Sequence, residues 1–354
     1  MLAIGRIDRQ GRSMPAAPSV SAVIDDAAWL AHRYDPDHDA FHFRRVARTV
    51  RAATPFLTDQ HLGEETSPLV LRRSDCAAVA PDQRAPVHFL FHSAYCASTM
   101  LAHALDQPGV ATALSEPVLL NDMIGWRRRG ADPRMHGRVM DDALAMLGRG
   151  FASGEAVVVK PSNIFNPLAR GALTLRPQAR AILLHAPLRA FLLSVARKGL
   201  WCRLWCRELL ENYLADGFVR LAFEPRDYFR QSDLQVAAVG WLAQQQAFAT
   251  LLGWAPERIA SLDSETLTQD PAAAVAAAMD HLRLACDRAA IAGHPALARN
   301  SKSGAAFAPG ERQRDLAAAE AAYGEEISQV VGWAEAVAAQ AGIPLTLPGA
   351  LAIR

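Results

Sequence analysis

Five short apolar runs constrain this chain more than any other feature. They are 87–91 (VHFLF), 111–115 (ATALS), 156–160 (AVVVK), 180–186 (RAILLHA) and 258–262 (RIASL). Each has strand length, and none alternates apolar with polar in the manner of a sheet wetted on one face. A strand that is apolar throughout is covered on both sides, which is the condition of a parallel sheet. The intervening chain supplies the covering. Stretches 98–106, 188–198, 203–215, 234–252, 271–284 and 311–341 read as helices, the last with Gly324 and Gly332 as places where it can break. Strands alternating with helices predict an α/β fold, a three-layer sandwich with a central parallel sheet flanked by helices.

The region before residue 86 lacks this rhythm. Residues 1–85 read as an accessory segment: a polar tail, then a helix over 41–53 with Phe43, Val46, Ala47 and Val50 on one face, among Pro-broken loops. Residues 86–354 form the main domain.

Charge and thiols narrow the function classes. Lys+Arg is 37 against Asp+Glu 36, a formal net charge of +1, so no basic coat for nucleic acid is expected. No run of about 18 apolar residues marks a membrane span, and the N-terminus has no signal-peptide core. Five cysteines fit reduced thiols and a cytoplasmic protein. Cys202 and Cys206 share a helix face, but no second ligand pair accompanies them, so they read as structural and no metal is expected. Only Lys160, Lys198 and Lys302 are lysines; the other 34 basic residues are arginine. A position that keeps a lysine in such a chain is a candidate for needing a compact, mobile ammonium.

Ligands of parallel sheets lie off the carboxyl ends of the strands. There the sequence turns polar: HSAYCAST (92–99), SEP (115–117), KPSN (160–163), HAPLR (185–189) and DSET (263–266). The first is a strand-to-helix loop of small and hydroxyl residues, able to aim N–H groups and a helix N-terminus at a phosphate. Ser98 and Thr99 can add hydroxyl contacts, although an ordinary turn with a serine cap has the same composition. The NTPase pattern GxxxxGK[ST] is not met.

The order of these loops resembles the P-loop sulfotransferases that use 3′-phosphoadenosine 5′-phosphosulfate (PAPS). Residues 94–99 (AYCAST) fall on their P-[KR]-S-G-T-T loop, with Tyr95 in place of Lys or Arg and Ala97 in place of Gly. SEP is similar to a K-E-P loop carrying the general base, and VVKPS (158–162) to an E-K-S-P stretch that brings in a lysine. AILLHAPLRAFLLS (181–194) resembles the R-D-P…S segment that binds the nucleotide 3′-phosphate, with His185 for Arg and Ser194 one residue late. DSETLTQDP (263–271) is similar to a late Y-E-D-L-x-x-D-P segment, and NSKSG (300–304) sits where the family has a basic loop. The resemblance covers about residues 86–310.

It implies sulfonate transfer from PAPS to a hydroxyl or amine of an unidentified acceptor. Glu116 would be the base and Lys160 would stabilise charge. Tyr95, Cys96, Ala97, Ser98 and Thr99 would cradle the phosphosulfate, and His185, Ser194 and Lys302 would hold the 3′-phosphate. Lys198 ends the helix of Ser194, where the dipole alone favours a cation. Two other readings stand beside this one: a degenerate domain with a binding or structural role, and a small-molecule kinase. Trp201 and Trp205 read as core, and arginines 127–129 as a solvated face.

Overall fold

The computed structural model describes residues 18–65, 67–79, 85–299 and 310–353. The five apolar runs become five parallel strands: β4 (Val87–His92), β5 (Ala111–Ser115), β6 (Ala156–Lys160), β7 (Ala181–His185) and β8 (Ile259–Asp263). Their order is β5-β6-β4-β7-β8. Nearly every residue in them is buried.

Successive side chains take opposite faces, which splits the interior into two layers. Leu90, Val158, Ile182, Leu184 and Leu262 join one core, with Leu101, Leu192, Trp241 and Met279. Helices α1 (Ser98–Leu105), α4 (Leu188–Arg197), α6 (Asp233–Trp254), α7 (Pro271–Leu282) and α8 (Glu311–Ala341) cover that face. The intermediate residues Phe89, Phe91, Val157, Val159 and Leu183 point into the other core. There they meet two helices the pattern reading overlooked, α2 (Val118–Arg128) and α3 (Pro133–Leu147). The α/β three-layer arrangement is as expected. Helix α8 runs unbroken through Gly324 and Gly332 and stops at Gly342, in the left-handed conformation.

The helix expected over 41–53 is not formed. In its place are a strand, β2 (Ala40–Arg45), and a short helix, Arg48–Ala53. Strand β2 is the middle of an antiparallel sheet with β1 (Trp29–Asp35) and β3 (Leu69–Arg72). Phe41 and Phe43, two apart, share the inner face and are fully buried, a period-2 fact that outweighs the helical spacing of Val46 and Val50. Val50, assigned to the buried helix face, is 47% exposed.

Residues of this small sheet share the second core with the parallel sheet. Arginines fasten it. Arg149 donates to the carbonyls of Val23, Ile24 and Trp29. Arg48 reaches Glu155 Oε1 at 2.5 Å and Asp106 Oδ1 at 2.6 Å.

Candidate active site at the strand tips

Read across the sheet, the carboxyl edge presents Glu116, Lys160, His92, His185 and Asp263 in that order, one from each strand tip. The chain leaves β4 in one direction to reach β5 and leaves β7 in the other to reach β8. The crevice of such a reversal is where α/β sheets receive ligands.

Glu116 and Lys160 are in contact. Ser115 and Lys160 are register partners in the ladder, which brings the next residue, Glu116, over the lysine. Lys160 Nζ lies 2.5 Å from Glu116 Oε1. The lysine is fully buried, with its ammonium 5.1 Å from the centroid of the Phe56 ring. Phe56 arrives on a strap sewn to the β5 tip: Leu57 N–H donates to the Ser115 carbonyl, Ser115 Oγ to the Pro55 carbonyl, and Val118 N–H to the Leu57 carbonyl. His92 Nε2 faces the same Glu116 oxygen at 3.6 Å. His92 Nδ1 accepts the Ala94 N–H at 3.1 Å, which puts the proton of a neutral ring on Nε2, toward the carboxylate. Burial alone would raise the Glu116 carboxyl. The Lys160 charge, followed by the His92 and Lys160 hydrogen bonds, lowers it to about 2.

The first loop turns without glycine. Ala94 (φ 72°), Tyr95 (φ 51°) and Ala97 (φ 61°) all occupy the left-handed region, as does Glu116 (φ 48°). Only Asp39 and Arg283 share this among the other described non-glycine residues, so the strain concentrates at the two loops that face each other. Ser93 N–H donates to the Leu184 carbonyl and Ser93 Oγ accepts the Ala186 N–H, tying the loop to the β7 tip. Ser98 and Thr99 begin α1, buried, at an end whose first N–H groups have no intrahelical acceptor. Cys96 is buried beneath them, and its thiol is raised by desolvation.

Tyr95 turns away from Glu116 toward helix α5 (Leu200–Ala215). Its hydroxyl lies 2.8 Å from Cys202 Sγ, and its ring packs on Phe191 and Trp205. Lys198, the C-cap of α4, sets its ammonium 5.4 Å from the ring centroid. His185 is buried at the tip of β7, 3.9 Å from Asp263, and Nδ1 has no hydrogen-bond partner among the described residues. Desolvation lowers its pKa, against the pull of Asp263. Ser194 Oγ donates to the Ala190 carbonyl at 2.9 Å. Lys302 lies outside the described residues.

Three side-chain expectations need correction. Trp201 is 62% exposed, beside exposed Leu200 and Leu204, whereas Trp205 packs on Tyr95. Both lie on one helix, but the inward face passes through Cys202, Trp205, Cys206 and Leu209 and leaves Trp201 outside it. Arg127 and Arg128 do not form a solvated face: both pair with the buried Asp216, and Arg128 also bonds Asn212. Among the described residues no group of three or more His, Cys, Asp or Glu is placed to hold a metal, and no helix is long and apolar enough to cross a membrane.

Sequence reasoning placed His92 in the first loop without a role beside Glu116, and passed over Phe56. His92 carried a signal, a polar residue at the tip of an apolar strand. Phe56 carried none, because only the fold brings its segment to β5.

No protein-family profile and no curated protein matches the chain. Solved structures similar to it include the sulfotransferase domain of the Synechococcus PCC 7002 olefin synthase, at 14% identity over 66% of this chain and 85% of that one, with a TM-score of 0.36. The sulfotransferase domain of the curacin biosynthetic pathway has 14% identity over 75% of this chain and 100% of its own, with a TM-score of 0.39. A sulfotransferase from Alicyclobacillus acidocaldarius has 16% identity over 57% of this chain and 82% of its own, with a TM-score of 0.35.

Proposed function

We propose that the protein transfers a sulfonate group from PAPS to a hydroxyl or amine acceptor, with Glu116 as base. The observation that carries this reading is the Glu116–Lys160 pair, held at the carboxyl edge of a parallel sheet beside the loop that opens helix α1. In the reaction an acceptor lone pair forms a bond to sulfur while the bond from sulfur to the 5′-phosphate oxygen breaks. The acceptor proton goes to Glu116, and adenosine 3′,5′-bisphosphate leaves.

The pair also explains how the base is kept in check. A carboxyl held at about 2 is a poor proton acceptor near neutrality. When Lys160 shifts its hydrogen bond to the charge growing on the bridging oxygen, Glu116 loses the cation that depresses it and recovers basicity. A lysine suits this exchange because its ammonium is a mobile point charge. The loop of residues 92–99 and the N-terminus of α1 provide donors for the phosphosulfate. His185, together with Ser194 and Lys302, is assigned to the 3′-phosphate. Ser194 must turn from the Ala190 carbonyl to donate there.

Calorimetry with adenosine 3′,5′-bisphosphate and with ATP tests the reading. Binding of the bisphosphate in preference to ATP supports it. Binding of ATP alone points to a kinase, and binding of neither to a non-catalytic domain. With a donor and an accepting hydroxyl or amine in hand, Glu116→Gln should abolish transfer and leave bisphosphate affinity unchanged; persisting turnover places the base elsewhere.

A further inference from the structure

Strands β1 and β2, with the segment that leads to β3, border a cavity of about 510 Å³. None of the described strand-tip residues lines it. His32 does, and an irregularity of β1 brings it there. Ala31 pairs with Phe43 and Arg33 with the adjacent His42, so His32 is the extra residue of a β-bulge. A bulge re-aims a side chain that strict alternation would send to the other face. Leu30, Ala31 and His32 are buried in succession.

The His32 ring is 3% exposed and only half used. Nε2 meets Asp59 Oδ1 at 2.6 Å, which places the proton of a neutral ring on Nε2. Nδ1 is then a bare acceptor, and it has no hydrogen-bond partner among the described residues. Burial lowers the His32 pKa, against the pull of Asp59, and so favours the uncharged ring. A buried acceptor without a donor destabilises the fold. The bond to Asp59 needs one nitrogen and leaves the other without a structural task.

The rest of the wall sets the sign of the charge it would receive. Its two arginines are committed to the protein. Arg33 bonds Asp122 through Nε at 2.9 Å and Asp59 through Nη1 at 2.6 Å. Arg44 donates through Nη1 and Nη2 to the carbonyls of Gly63 and Leu62. Four carboxylates line the cavity against these two cations: Asp35, Asp59, Glu64 and Glu65. Glu64 is exposed, and Glu65 Oε2 comes no nearer than 4.0 Å to Arg44 Nε. No group among the described residues is placed to hold a metal, so the matching cation is an organic one.

We infer that this cavity binds a small protonated amine, which donates to His32 Nδ1 and whose charge Asp35, Glu64 and Glu65 offset. An ammonium carries three donors and no acceptor, which suits a bare imidazole nitrogen and carboxylates together. The site stands apart from the sulfonate reading and does not rest on it.

The experiment uses the full chain with 1,4-diaminobutane and with 1,4-butanediol, which are alike in length and differ in charge. Calorimetry should show the diamine binding at least about 10-fold more tightly, in the range of one hydrogen bond to a charged group. Adding the diamine should also move the ¹⁵N resonance of His32 Nδ1. His32→Gln keeps an N–H for Asp59 and removes the ring acceptor, and circular dichroism checks its fold. It should lose about 10-fold in diamine affinity, and Glu65→Gln a smaller factor. Failure of the diamine to bind, equal binding of the diol, or unchanged affinity in His32→Gln overturns the inference. So does an unmoved Nδ1 resonance in the native protein, a measurement that holds even where the variant does not fold. Failure to bind the bisphosphate would remove the proposed function and leave this site standing.

Discussion

Glu116 and Lys160 are joined twice: the Glu116 N–H donates to the Lys160 carbonyl at 2.6 Å, and the Lys160 ammonium reaches Glu116 Oε1 at 2.5 Å. The main-chain bond extends the β5–β6 ladder by one residue and fixes where the carboxylate starts. The side-chain bond then needs little further ordering. Removing one member of such a pair strands the other charge away from water, at a cost of about 3–5 kcal/mol, whereas removing both strands neither. Glu116→Gln and Lys160→Met should each lower unfolding free energy by about 3 kcal/mol. The double variant should be more stable than the sum of the two losses by about 2 kcal/mol. Urea unfolding of the four proteins measures the coupling, and strict additivity would mean the pair is not formed in solution.

The same pair makes stability depend on acid. The Glu116 carboxyl is lowered from an ordinary 4.5 to about 2 in the fold, so the unfolded chain takes up its proton first. Its contribution is complete above about pH 4.5 and drains away as pH falls toward 2, a total of roughly 3 kcal/mol. The stability gap between the native protein and Glu116→Gln should therefore be widest at neutral pH and narrow below pH 4.5. Denaturant midpoints at pH 7, 5 and 3.5 test this. A gap that stays constant would show that Lys160 does not hold the carboxyl down.

The five strands were legible because each is buried on both faces, so burial needs only a run of apolar residues and no periodicity has to be decoded. Their polar tips were legible for the same reason, and the resemblance of the loops there gave Glu116 and Lys160 their expected roles. The N-terminal sheet was not. Phe41 and Phe43 fit a strand, but Val46, Ala47 and Val50 extend the spacing of a helix, and only pairing with Leu69 to Arg72 settles the choice. The aromatic contact on Lys160 was hidden likewise, because the strap meets the β5 tip across 60 residues of chain. Tyr95 was legible as a departure from a cationic position, but not as a contact of Lys198, since the ammonium comes from the far end of another helix.

Glu155 is a buried carboxylate on which the fold leans. It accepts from Arg48 at 2.5 Å, the Gly109 N–H at 2.6 Å, Thr112 Oγ1 at 3.0 Å, and the N–H groups of Phe151 and Ala152. These donors come from the short helix 48–53, the turn before β5, β5 itself and the loop before β6. Glu155→Gln replaces one acceptor oxygen by a donor facing donors, and should cost about 3 kcal/mol or more. Arg48→Met should cost a similar amount and loosen the N-terminal sheet first, seen as faster amide exchange in β1 and β2 than in β4. Uniform exchange in both sheets would show that the arginine does not fasten them together.

Trp201 and Trp205 are four residues apart and differ in what they touch. Trp201→Gln should leave stability within about 0.5 kcal/mol, as for a surface position, and remove fluorescence that iodide quenches readily. Trp205→Ala should cost about 2 kcal/mol or more and loosen Tyr95, on which its ring packs. Equal effects at the two positions would place the inward face of α5 elsewhere.

Ala97 is where the strain of the first loop can be measured. It caps α1 at φ 61° and ψ 23°, where a methyl side chain is disfavoured and a β-branched one is a severe misfit. Glycine relieves that cost and adds chain entropy to the unfolded state, so Ala97→Gly should change stability by no more than about 1 kcal/mol. Ala97→Val should lose about 1–3 kcal/mol or flatten the turn that aims the N-terminus of α1. Nucleotide titration separates those outcomes. If the strained backbone presents its N–H groups to a phosphate, Ala97→Val loses affinity along with stability, and Ala97→Gly keeps both. A valine variant that binds the bisphosphate as tightly as the native protein would mean that the conformation at Ala97 serves the packing of α1 alone.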